Sequence, residues 1–342
     1  MRDLLLVEDY RPRSELIVPE HPVTHAKFPV IDAHNHLTHP GFHVPEPDEM
    51  IRIMDFVNVQ AIVNLSGGTG DELERNLEKL DLAYPGRFYT FCNVDWSGLG
   101  EPGWISKATA QLEADIRAGA RGLKIFKRLG LQIKDSEGRL VMPDDPRLAD
   151  LWDRAAELGI PVLIHVADPT AFFKPLDRLN ERWDELHKHP DWHFYGPEFP
   201  SFQELIDSLY HLIEEHPQTT FITAHVGCYS ENLGFVSRVL DKYPNLYTDI
   251  SARIVELGRA PYSARKLFLK HPDRIIFGTD VMPPSIEWYQ VYFRFMETED
   301  EFFDPTPKGS SSWCWWKLYG LYLPDDILKK VYYDTAATLI KL

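Results

Sequence analysis

Short apolar runs alternate along the chain with longer stretches whose apolar positions recur every three or four residues. The runs predict strands over about 28–33, 59–65, 87–94, 120–126, 160–166, 219–225, 245–250 and 274–279. Most are rich in β-branched or aromatic residues and apolar on both faces, as strands buried in a parallel sheet are. The longer stretches predict helices over about 47–57, 71–84, 104–119, 146–158, 201–216, 231–243 and 262–270. Gly119 and Gly159 stand where helix C-caps belong, and Pro47 and Pro146 suit first turns. Eight strands alternating with helices predict an α/β chain folded as a (β/α)8 TIM barrel. The alternative is a doubly wound open sheet. Against it, the first strand leads into HNH and not into a glycine-rich loop, and Gly67-Gly68-Thr69-Gly70 lacks G-x-G-x-x-G spacing.

Two segments exceed simple connections: 167–200 after the fifth strand and 281–323 after the eighth. Long loops in compact domains are usually functional or disordered. The first carries Phe172, Phe173, Trp183, Trp192, Phe194 and Tyr195; the second carries Trp288, Tyr289, Tyr292, Phe293, Trp313, Trp315 and Trp316. These aromatic-rich insertions are expected to be ordered lids over the carboxyl face, or else to bury a dimer contact or extend the core. Residues 1–27 are polar and proline-bearing and read as an N-terminal extension. The closing stretch LPDDILKKVYYDTAATLI has helical spacing and is expected to pack back on the barrel. Nothing marks a second domain, so 1–342 is expected to be a single barrel domain.

Composition is that of a globular protein, with 44% hydrophobic and 26% charged residues. A net charge of −16 argues against nucleic acid or an anionic membrane as partner and leaves small molecules, anionic ones included. Cys92, Cys228 and Cys314 form neither a disulfide framework nor a CxxC zinc site. Reduced thiols, with no signal peptide in MRDLLLVEDYRPRS, predict a cytoplasmic protein, although a removed leader would leave no trace. No run is long enough to span a membrane. The aromatic surplus permits a homo-oligomer.

Candidate chemistry lies at strand ends. FPVIDAHNH opens the barrel, and an extended chain would place Asp32, His34 and His36 on one face. Two converging imidazoles begin a divalent metal site. The fifth strand ends VLIHV, the sixth FITAH and the eighth IIFGTD, which places His165, His225 and Asp280. In a barrel all strand carboxyl ends face one pocket, so His34, His36, His165, His225 and Asp280 would converge there. Any one of these histidines alone reads as a hydrogen-bonded core residue; the set together reads as a metal site.

The HxH after the first strand, the single histidines after the fifth and sixth, and the aspartate after the eighth resemble the amidohydrolase superfamily. FGTD, AHVG and GLKIF look most like its amidohydrolase-2 branch, over about 28–340. That branch contains metal-dependent hydrolases, lactonases, hydratases and non-oxidative decarboxylases. The resemblance implies that His34, His36, His165 and Asp280 hold one divalent ion and that His225 acts on its water. Zinc is the expected ion, with manganese or iron as alternatives. Binuclear relatives carry a carboxylated lysine in the fourth strand, so Lys124 could bridge a second metal; it could equally bind a substrate carboxylate or pair with an acid.

A bound ion of this kind lowers the pKa of its water to about 7. Asp280 could take that proton, and His225 could bond the water or a developing oxyanion. Asp249, Ser251 and Arg253 alternate after the seventh strand, and Arg253 could clamp a carboxylate or pair with Glu256. Asp32 is expected to support the ligands, not to join them. His193 and Glu198 could reach the pocket from the first insertion; His39 and His43 are expected at the periphery. The expected function is metal-dependent hydrolysis of a small carboxylated ester, lactone or amide, as the branch's substrates suggest. Decarboxylation or hydration is the alternative, and a barrel that binds metal or ligand without turnover is the remaining class.

Overall fold

The computed structural model describes residues 5, 6, 9, 10, 14–41, 43–308, 310 and 314–342, so Trp313 and part of the 1–27 extension lie outside the described residues. Eight parallel strands form among the described residues: β1 (Val30–Asn35), β2 (Val59–Asn64), β3 (Phe88–Thr90), β4 (Leu123–Ile125), β5 (Pro161–Ile164), β6 (Thr220–Thr223), β7 (Leu246–Asp249) and β8 (Ile275–Ile276). Their ladders run β1-β2-β3 and β4-β5-β6-β7-β8. Hydrogen bonds bridge both seams. Cys92 N–H donates to the Gly122 carbonyl at 2.9 Å and Lys124 N–H to Cys92 at 2.8 Å; Ala33 N–H donates to Phe277 at 3.0 Å. The architecture is the expected (β/α)8 TIM barrel.

The strands are buried on both faces. Ile31, Ala33, Ala61, Val63, Leu163, Ile222 and Ile276 form one apolar cluster with Ala336 and Ile340 of the C-terminal segment, which packs back on the barrel as its spacing predicts. A larger cluster joins the strands to the surrounding helices. Helix ends follow local chemistry. Pro47 opens Pro47–Val57, Ser201 and Glu204 form a capping box at Phe202–Glu215, and Gly119 caps Trp104–Ala118 at φ 131°.

In the segment after β8, expected to be an ordered insertion, the structure adds an element that the sequence pattern did not predict. This is a twelve-residue helix, Ile286–Glu297, capped by Ser285. The run IEWYQVYFRFME is amphipathic, with Glu287, Gln290, Arg294 and Glu297 along one face and the buried Tyr289, Tyr292, Phe293, Phe295 and Met296 on the other. The two insertions meet at the barrel rim. Trp316 lies with the Arg182 guanidinium 5.1 Å and the Arg259 guanidinium 3.9 Å from its ring, and its Nε1–H donates to the Val255 carbonyl at 3.0 Å. Among the described residues no helix is long and apolar enough to cross a membrane.

Candidate metal centre

β1 ends in an irregularity: its register against β2 shifts between Asp32 and Asn35. The shift interrupts the alternation that would carry Asp32 and the histidines on one face. Asp32 bonds to Thr279 and Tyr289, whereas His34 turns to the centre. His225 and Asp280 both take left-handed backbone, at φ 58° and 56°, and Val226 follows at 59°. Consecutive non-glycine residues in this region are strained, and such strain concentrates at functional sites. Here it is held by His225 N–H on Asp249 Oδ1 at 2.9 Å and Gly227 N–H on Thr248 Oγ1 at 2.7 Å.

Four of the five predicted residues share contacts around Asp280. Its Oδ1 lies 3.5 Å from His36 Nε2 and 3.9 Å from His34 Nε2, while Oδ2 lies 3.9 Å from His225 Nε2. Ligands about 2.0–2.2 Å from one ion stand roughly 3–4 Å apart, so these spacings fit a shared divalent cation. His165 stacks edge-on against His225 with ring centroids 4.3 Å apart. It is absent from the two groups, among the described residues, whose ligand atoms all lie within 4.8 Å of one another: His34, His36, Asp280 and His34, His225, Asp249. The second of these is satisfied by hydrogen bonds. His34 Nδ1 meets Asp249 Oδ2 at 2.7 Å, and Ser251 Oγ donates to Asp249 Oδ1 at 2.6 Å.

The far sides of the His34, His36 and His225 rings are occupied. His36 Nδ1 meets Ser66 Oγ at 2.8 Å, and His225 Nδ1 donates to the Ser251 carbonyl at 2.8 Å. These contacts leave the Nε2 atoms for the centre. His34 Nε2, His165 Nε2 and Asp280 Oδ1 are buried without a hydrogen-bond partner, an arrangement that is costly unless a ligand or ion meets them. His165 Nε2 comes within 3.4 Å of Asp168 Oδ1 but without hydrogen-bond geometry. Burial holds the His34, His36 and His225 imidazoles well below their ordinary value, and His165 at about 4. All four are therefore neutral near pH 7, the form that ligates. Burial pushes the Asp280 carboxyl up to about 7, against the pull of Lys124, as expected of an anion set among neutral rings.

Cations ring this centre. Lys124, 1% exposed, has no hydrogen-bond partner at Nζ, and burial lowers it to about 8 against the pull of Asp280 and Asp249. Arg253 pairs with Asp168 at 3.6 Å and not with Glu256, which instead binds Arg182. β4 stops at Ile125, so Lys127 is free of strand alternation and also binds Asp168. Burial raises the Asp168 carboxyl, but Lys127, His165 and Arg253 hold it well below the carboxylate range. Asp168, Asp249 and Ser66 had no candidate role in the sequence; the only local hint was alternation of Asp249 with Ser251 and Arg253. His193 Nε2 bonds the Lys174 carbonyl at 2.8 Å and Glu198 is exposed; no hydrogen bond or ion pair joins either to the centre among the described residues. His39 stacks edge-on 6.4 Å from His36. Clefts of about 470 and 580 Å³ open at the rim beside Thr170, Lys174, Glu231 and Asn232; neither is lined by the histidines or Asp280.

Solved structures share this fold. A 2,6-dihydroxybenzoate decarboxylase from Rhizobium is 16% identical with TM-score 0.60, covering 92% of this chain and 99% of that one. A dihydroxybenzoic acid decarboxylase from Polaromonas sp. JS666, with bound manganese and the inhibitor 2-nitroresorcinol, is 15% identical with TM-score 0.61, covering 92% and 97%. A putative amidohydrolase from Staphylococcus aureus is 16% identical with TM-score 0.54, covering 92% and 100%. None of the curated proteins matches the chain. Residues 31–342 match the amidohydrolase family model (Amidohydro_2), and the chain belongs to that family.

Proposed function

We propose that this amidohydrolase is a metal-dependent hydrolase, working as one barrel domain on a small carboxylated ester, lactone or amide. The observation that carries the reading is the division of the Asp280 carboxylate, Oδ1 toward His34 and His36 and Oδ2 toward His225. One oxygen can ligate while the other handles a proton. His34, His36, His165 and Asp280 would hold one divalent ion, zinc or the manganese borne by the Polaromonas enzyme. When bound, such an ion supplies Lewis acidity and lowers the pKa of water to about 7. Asp280 Oδ2 accepts the proton of the attacking water. His225 Nδ1–H is committed to the Ser251 carbonyl, so neutral His225 accepts at Nε2 and, once protonated, donates there to the oxygen that gains charge. Lys124 and Arg253 offer positive charge to the substrate carboxylate.

Non-oxidative decarboxylation is the second reading. The unpartnered Lys124 ammonium and the two dihydroxybenzoate decarboxylases of the same fold favour it. The test is to incubate manganese- or zinc-loaded protein with aromatic carboxylates, lactones and esters while following acid and CO₂ release separately. Acid without CO₂ supports hydrolysis. CO₂ without net hydrolysis overturns it in favour of decarboxylation.

A further inference from the structure

The helix Ile286–Glu297 sits in the segment read as a lid, yet two of its side chains reach the strand end that carries Asp280. Tyr289 and Tyr292 are three residues apart, on one helical face, and are 1% and 2% exposed. A buried tyrosine hydroxyl requires a polar partner. Tyr289 donates to Asp32 Oδ2 at 2.9 Å. Tyr292 donates to the Thr279 carbonyl at 2.8 Å and accepts the Ala252 N–H at 3.0 Å.

Thr279 is held on its other side by Asp32. Its N–H donates to Asp32 Oδ1 at 2.9 Å and its hydroxyl to Oδ2 at 2.6 Å. Asp32 is fully buried, and no ion pair neutralises it among the described residues. A buried carboxylate is costly unless every lone pair is used, and here five donors converge: Thr279 N–H and Oγ1–H, Tyr289 O–H, and at longer range His34 N–H at 3.3 Å and Asn35 Nδ2 at 3.4 Å. The next residue is Asp280, in left-handed backbone, its N–H donated to the His34 carbonyl at 2.8 Å. The peptide that leads into Asp280 is thus tied to the inserted helix through the Thr279 carbonyl and to β1 through Thr279 and the Asp280 N–H.

We infer that Asp32, Thr279, Tyr289 and Tyr292 form a brace that positions the Asp280 carboxylate against His34, His36 and His225. The helix after β8 is therefore part of the machinery and not only a cover. The four are positioning residues, and the inference rests on the reading of Asp280 as a metal ligand. Removing one hydroxyl from the brace loosens Asp280 and weakens metal binding before any substrate is present.

The test is calorimetric titration of folded apoprotein with Mn²⁺, fold being checked by circular dichroism. The variants are Asp280→Asn, Tyr292→Phe, Thr279→Val and Thr279→Ser. The brace predicts that Tyr292→Phe and Thr279→Val each weaken binding about tenfold or more, as loss of a bond supporting a ligand does. Thr279→Ser, which keeps the hydroxyl, stays within about twofold of wild type. The inference is overturned if Asp280→Asn loses the metal while Tyr292→Phe and Thr279→Val bind as wild type does. It is equally overturned if Thr279→Ser is as weak as Thr279→Val. If Asp280→Asn binds as wild type does, the metal reading itself is the part that fails.

Discussion

His34 owes its orientation to Asp249, which accepts from the ring at 2.7 Å and also holds the His225 backbone N–H at 2.9 Å. One carboxylate thus sets two of the centre's histidines. Asp249→Asn is expected to weaken metal binding about 10- to 100-fold in a folded protein, measured by titration of the apoprotein. Arg253 carries the second residue-scale expectation. Its planar fork cannot be replaced by a point charge, so Arg253→Lys should raise KM for a carboxylated substrate about tenfold with a smaller effect on kcat. Equal loss in kcat alone would place Arg253 elsewhere in the reaction. His34, His36, His165, His225 and Asp280 were legible because each closes an apolar run, and strand ends face one mouth in a barrel. Their supports were not. His34 and Asp249 are 215 residues apart and His36 and Ser66 are 30 apart, and no local pattern distinguishes one such acid or serine from the many others.

The elements show the same division. Seven of the eight strands fall within the apolar runs that predict them; β1 runs on past residue 33 to Asn35, and β8 shrinks to Ile275–Ile276. The helix Ile286–Glu297 does carry a helical period, with Glu287, Gln290, Arg294 and Glu297 on one face, but it falls inside an insertion whose aromatic richness reads as a lid. Two element-scale outcomes follow from packing. A Cβ on Gly278 would stand 2.8 Å from His34 Cβ and 3.2 Å from His34 N, so β8 and β1 close only around a glycine. Gly278→Ala should cost about 1–3 kcal/mol in denaturant unfolding and displace His34, lowering metal affinity as well. Trp316 joins its insertion to the first one through Arg182 and to the segment after β7 through Arg259. Trp316→Ala should remove about 1–2 kcal/mol of cation–π contact, making local opening roughly tenfold more frequent. Faster limited proteolysis within 167–200, with global unfolding little changed, is the result that checks it.

At the scale of the whole molecule, alternation of strand and helix patterns sufficed for the barrel, because a parallel sheet of buried strands has few ways to close. What the barrel does is set by how distant strand ends meet, and the proposed ligand set would serve hydrolysis and decarboxylation alike. An ion held between β1 and β8 would also tie the first strand to the last across 246 positions from His34 to Asp280. Binding only the folded state, it should stabilise the chain by about 2.7 kcal/mol at a hundredfold excess over Kd, so chelation should lower Tm and readdition restore it. The most direct measurement is elemental analysis of the purified protein beside His34→Ala/His36→Ala, Asp280→Ala and Lys124→Ala variants. The account predicts about one divalent ion per chain, lost in the first two variants and kept in Lys124→Ala. Unchanged metal content without His34, His36 or Asp280 would contradict it, as would two ions per chain with one lost in Lys124→Ala.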